Sequence, residues 1–103
     1  MEIRQYMEQA QSLLLRAFPE RLICLGLQGS YARGEATEES DIDLVVILDR
    51  VGMEELLTYR RILDQLPKRE KSCGFFSGTE ELMAWDRGEL FQFYYDTRPY
   101  WGI

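Results

Sequence analysis

The sequence predicts an α/β (α+β) fold: a mixed, mostly antiparallel sheet of about four strands flanked by helices. Three observations carry that expectation. Apolar residues at three- and four-residue steps (2–18, 53–66) alternate with short β-branched or leucine-rich runs (21–28, 41–49). The 41–49 run is apolar on both faces, which calls for cover on both sides of a central strand. A chain of 103 residues holds one compact domain, expected at 1–103, burying roughly 65% of its unfolded surface.

Composition narrows the class. Apolar residues make up 46% and charged residues 29%, the profile of a globular protein rather than a disordered or collagen-like one. No stretch approaches the ~20 apolar residues that cross a bilayer, and the acidic, amphipathic N-terminus does not read as a signal peptide. With 12 Lys+Arg against 18 Asp+Glu, the net charge of −6 argues against broad binding to nucleic acid or an anionic membrane. Cys24 and Cys73 lie far apart in apolar surroundings and the chain has no histidine. They read as small hydrophobes in a reducing, cytoplasmic setting.

The elements follow in order. Ile3, Met7, Ala10, Leu14 and Ala17 describe one helical face over 2–18, closed by Pro19. Arg21–Gln28 is a buried strand bounded by Pro19 and Gly29. The polar interval Gly29–Ser40 has room for a short helical turn. Asp41–Asp49 (DIDLVVILD) is the clearest strand, with Ile42, Leu44, Val46 and Leu48 on one face and Val45 and Ile47 on the other, below Asp41 and Asp43. Met53–Leu66 is a helix ended by Pro67. A strand is expected at about 70–77, then a short helix to about Arg87 opened by a Ser77–Glu80 capping box. Glu89–Thr97 (ELFQFYYDT), rich in aromatics, reads as the last strand.

Chemistry concentrates in Gly29-Ser30-Tyr31-Ala32-Arg33-Gly34 and Ser40-Asp41-Ile42-Asp43-Leu44. Asp41 and Asp43, two apart on a strand, point the same way, roughly 6.5–7 Å apart along the backbone. Like charges there need a cation between them, and oxygen-only ligands favour Mg²⁺ or Mn²⁺. Gly29 leaves the strand without a side chain to obstruct a phosphate. The Ser30 hydroxyl, nearby backbone N–H groups and the Arg33 guanidinium can contact phosphate oxygens. Ser40 serves either as a turn cap or as a substrate contact.

These residues, with ten positions between Ser30 and Asp41, resemble the signature of the DNA polymerase β-like nucleotidyltransferase superfamily. More narrowly, they resemble the small bacterial minimal nucleotidyltransferase (MNT) domains. The resemblance implies a nucleotidyltransferase-like fold and transfer of a nucleoside monophosphate from ATP or another NTP to an acceptor hydroxyl on a protein or small molecule. It implies Asp41 and Asp43 as metal ligands and Gly29 and Ser30 on the β- and γ-phosphates, assisted by Arg33. A third carboxylate usually completes such a site on a later strand; Glu70 is the first candidate and Asp96 the second.

Two other readings compete. A dinucleotide-binding βαβ unit would use Gly26, Gly29, Gly34 and Asp49, but the spacing is not G-x-G-x-x-G and the interval between strands is short for a crossover helix. Alternatively, the resemblance allows a non-catalytic or antitoxin-type MNT subunit that binds a helical (HEPN-type) partner. Tyr100-Trp101-Gly102-Ile103, expected to lie exposed after the last strand, would then be covered by that partner, by a second copy, or by more of a longer chain.

Overall fold

The computed structural model describes residues 3–102. Helix α1 (Ile3–Ala17) is followed by β1 (Leu22–Gln28), a five-residue helix α2 (Gly29–Arg33) and β2 (Ile42–Leu48). Helix α3 (Met53–Gln65) leads through a single 3₁₀ turn (Arg69–Lys71) into β3 (Ser72–Gly78). Helices α4 (Thr79–Met83) and α5 (Arg87–Asp96) precede β4 (Arg98–Gly102). The four strands lie in the order β3-β2-β1-β4. β1 runs antiparallel to both β2 and β4, and β2 parallel to β3. The antiparallel β1–β2 pair excludes a dinucleotide-binding βαβ unit, whose two strands must be parallel.

Strand β2 divides the interior as its alternation predicts. Ile42, Leu44, Val46 and Leu48 pack on one face with Tyr6, Met7, Ala10 and Leu14 of α1 and Tyr59, Ile62 and Leu63 of α3. Val45 and Ile47 pack on the other with Leu82 of α4, flanked by Cys24, Phe75, Leu90 and Phe93. The first cluster is large and sealed; the second is small, and its cover is thin. Helix α3 opens where Glu55 Oε1 accepts from the Gly52 N–H at 2.7 Å, and it stops just before Pro67, as expected.

Three expectations need correction. Glu89–Thr97 is not a strand: α5 occupies Arg87–Asp96, because Asp86 accepts from the Glu89 N–H at 2.9 Å and starts a helix. Leu90 and Phe93, three apart, then face the sheet while Phe91, Tyr94 and Tyr95 face outward. The aromatic run has high β propensity, but cap and helical spacing prevail over it. The fourth strand is instead β4, which absorbs the segment expected to be an exposed end: Tyr100 and Trp101 pack against the larger core; Ile103 lies outside the described residues. Finally, no Ser77–Glu80 capping box forms. Gly78 is the cap of α4, and Ser77 Oγ donates instead to the Gly78 carbonyl.

Candidate active site

The site is built where β1 ends. Gln28 pairs with Asp43, and Asp43 in turn with Cys73, so the three sit side by side across β1, β2 and β3. They share the face of Val45 and Ile47. The chain then turns at Gly29 in the left-handed region, with φ of +71°, a conformation that favours glycine. Gly29 is required for a second reason: a Cβ there would collide with Asp43 Oδ2. The bare backbone of the turn and the carboxylate therefore lie against each other.

Asp43 is half-buried and Asp41, just before β2, is exposed. Asp43 Oδ1 accepts from the Cys73 thiol at 2.9 Å. That thiol is pushed up to about 12, first by its partial burial, then by the hydrogen bond to Asp43 and the negative charges of Asp43 and Asp41. Both acids thus act on one sulfur, which stays protonated. Cys73 was absent from the sequence-level site. Only the cross-strand register, a property of the folded sheet, brings it there.

The other candidates scatter around this centre. Ser30 stands half-buried in the first turn of α2, and its carbonyl accepts from the Glu35 N–H at 2.9 Å. Arg33 is exposed and ion-paired with Glu35 at 2.6 Å. Ser40 acts as a turn cap: its Oγ accepts from the Thr37 N–H at 2.9 Å. Glu70 lies on the 3₁₀ turn before β3, not on the strand, and is exposed. The β3 position facing Asp43 belongs to Cys73, three residues further on. Among the described residues, no group of three His, Cys, Asp or Glu side chains is gathered to hold a metal ion. Asp96 instead helps to line a cavity of about 370 Å³ with Gln28, Gly29, Ala32, Arg33, Tyr95, Thr97 and Arg98.

A larger cavity, about 600 Å³ and mostly apolar, lies beneath α4 and α5. Tyr95 and Thr97 border both cavities. Thr97 also ties the end of α5 to the strand that carries the site, its Oγ1 accepting from Gln28 Nε2 at 2.8 Å.

Residues 7–84 match the nucleotidyltransferase domain family, a span that takes in most of α1, the Gly29 turn, both aspartates and β3. The chain is a nucleotidyltransferase domain. This nucleotidyltransferase domain is 36% identical over 67 residues to a protein of Methanocaldococcus jannaschii that carries the provisional name protein adenylyltransferase. The match covers 65% of this chain and 65% of that relative, just under two thirds of its length. Among the described residues, no helix of the nucleotidyltransferase domain is long and apolar enough to cross a membrane.

Proposed function

We propose that this domain transfers a nucleoside monophosphate from ATP or another NTP to an acceptor hydroxyl, with Asp41 and Asp43 holding Mg²⁺ or Mn²⁺. The observation that carries the reading is the contact between Gly29 and Asp43: a side-chain-free turn, able to admit polyphosphate, set directly against a carboxylate. The donor set fits a hard divalent ion, because such an ion is commonly held by one or two carboxylates and completed by substrate phosphates and water. When bound, the ion neutralises charge on the phosphates as the leaving group departs.

The remaining roles fall to the chain's own groups. Gly29 leaves room for the β- and γ-phosphates, Ser30 Oγ donates to a phosphate oxygen, and Arg33 supplies a second donor once it exchanges Glu35 for phosphate. Ser40 is left to its turn. The acceptor oxygen attacks the α-phosphorus, the bond to pyrophosphate breaks, and the acceptor's proton passes to solvent. No third carboxylate is assigned; the neutral Cys73 thiol orients Asp43 by occupying Oδ1. The name of the archaeal relative favours a protein hydroxyl over a small molecule as acceptor.

The test is incubation with α-labelled ATP and Mg²⁺ in the presence of candidate acceptors. Transfer of label should occur in the parent protein and fall by at least about a hundredfold in Asp41→Asn and Asp43→Asn, with melting temperatures retained. Undiminished transfer by both variants refutes the assignment. The second reading, a non-catalytic subunit that binds a helical partner, is favoured by the apolar cavity beneath α5 and the exposed Phe91, Tyr94 and Tyr95. It predicts nucleotide-independent binding of such a partner and no transfer of label.

A further inference from the structure

We infer that the outer edge of β3 docks an extended segment of an acceptor protein, which pairs there as a fifth strand and presents a hydroxyl to the acids. The inference rests on the NTP-transfer reading above and names the form of its acceptor. β3 closes one side of the sheet, and among the described residues no turn or loop backbone bonds to Ser72–Gly78. An edge strand carries a row of unpaired N–H and C=O groups, and proteins usually guard it with charge, proline or a bulge. The opposite edge, β4, is guarded: it begins with Arg98 and Pro99, and a register shift interrupts its pairing with β1. β3 (SCGFFSG) has no charged residue and no proline, and its register with β2 runs unbroken from Ile42–Ser72 to Leu48–Gly78.

The backbone near the start of this edge is bare. Gly74 is exposed, and what a glycine exposes is main chain. No side chain could stand there, because a Cβ at 74 would collide with the Leu44 backbone of β2. Both faces of the strand are nevertheless held. Phe76 stacks on Tyr59 with ring centroids 4.2 Å apart, and on the other face Phe75 meets Phe93 at 4.9 Å and Trp85 at 5.4 Å. A template fixed in advance loses little freedom on pairing. Its position favours the acceptor as occupant. Cys73, beside Gly74, is exposed and its Sγ reaches Asp43 Oδ1, so a single strand separates Asp43 from the edge. Neighbouring strands lie about 4.8 Å apart, and a strand added to β3 runs roughly 9.5 Å from β2. A hydroxyl side chain on its Cys73 face then stands within reach of a phosphate held at the acids. The chemistry is unchanged: the hydroxyl oxygen bonds to the α-phosphorus, the bond to pyrophosphate breaks, and the proton passes to solvent. A second copy of the chain is the poorer occupant, since it brings a further charge of −6 to a chain of −6.

The probe is a blocked peptide of alternating threonine and valine with a lysine at each end, set against the same peptide N-methylated at every threonine and valine. Amide exchange in the isotope-enriched full chain, read residue by residue by NMR, reports pairing. Incubation with α-labelled ATP and Mg²⁺ reports transfer. The unmodified peptide should take up label and slow the exchange of alternate amides in 73–77 by at least about tenfold. The methylated peptide cannot donate to the edge, and two lost backbone bonds should weaken both effects roughly ten- to a hundredfold. Equal labelling of the two peptides, or label without protection in β3, refutes edge docking and leaves the transfer reading standing. Protection with no label on any acceptor overturns the transfer reading and the acceptor role with it, leaving a peptide-binding edge. With neither effect, edge docking is refuted, and labelling of other protein acceptors decides the transfer reading by itself. Outward amides of β3 already protected in the free chain also refute it, assigning the edge to a second copy if protection grows with concentration.

Discussion

Substituting Gly29 by alanine, with Gly34→Ala as its counterpart, separates backbone strain from the demands of the site. Both glycines have left-handed backbone, φ +71° and +73°. Alanine there costs about 1–2 kcal/mol in either case. At Gly34 nothing lies within 4 Å of the new methyl group, so the backbone term is the whole expected loss. At Gly29 the methyl group meets Asp43 Oδ2, and the carboxylate must swing away. That breaks the bond from Cys73, adding roughly 1 kcal/mol, for a total of about 2–3 kcal/mol. In a domain of this size each kcal/mol lowers the melting temperature by roughly 4–8 °C. Urea unfolding measures the stabilities, and calorimetry with Mg²⁺–ATP measures the site. Gly34→Ala should bind nucleotide as the parent does once folded, and Gly29→Ala should lose metal-dependent binding. Equal destabilisation with intact binding in both would show that the contact between the turn and Asp43 is dispensable.

The remaining expectations concern single side chains. The Cys73 thiol, held at about 12 against an ordinary 9.0 by burial and by Asp43 and Asp41, should alkylate at pH 8 at least about tenfold more slowly than a free thiol, since thiolate is the reactive form. Asp43→Asn should speed it; alkylation at the rate of a free thiol in the parent would refute the Cys73–Asp43 bond. Tyr6→Phe should cost about 1 kcal/mol in urea unfolding by removing the buried 2.8 Å bond to Ser72. Tyr59→Phe should be neutral or stabilising, because the Tyr59 hydroxyl is buried without a partner among the described residues and the ring keeps its stack on Phe76; a loss as large as that of Tyr6→Phe would show an unseen partner. Arg21 joins Asp49 at 2.9 Å and Glu55 at 3.2 Å. Asp49 is lowered although partial burial opposes it, through Arg21 and the Arg50 N–H; Glu55 is lowered first by the Gly52 N–H, then by its own N–H and Arg21. Carboxylates lowered on folding contribute stability that is complete above their unfolded values and drains away as pH falls through the folded ones. Arg21→Gln should therefore flatten the decline in melting temperature between about pH 5 and pH 3, and an unaltered slope would count against the network.

Much of this molecule could be read before folding, for a local reason. The 41–49 strand declares both faces by alternation, and the Gly29 turn and acid pair lie within sixteen residues of one another, so register hardly enters. What escaped depends on long-range pairing. Cys73 meets Asp43 only because β3 runs parallel to β2 with that alignment; counting along the chain suggested Glu70 instead. Tyr100 and Trp101 join the larger core only because Pro99 and its neighbours form an edge strand, a short segment with a residue that interior strands rarely tolerate. The Glu89–Thr97 error has a different origin. Alternating aromatics mimic a strand, and the deciding signal was Asp86, a capping residue just outside the stretch that drew attention.

The unequal cover on the two faces of the sheet sets the order in which the molecule comes apart. Local opening starts where little apolar surface is buried, and α5 is such a place: its Phe91, Tyr94 and Tyr95 face water, while Leu90 and Phe93 pack on the sheet and Thr97 bonds its end to Gln28. Amide protons in α5 should therefore exchange with solvent well before those of α1 or β2. Because Tyr95 and Thr97 border both cavities, loosening of α5 would alter the walls of the two together.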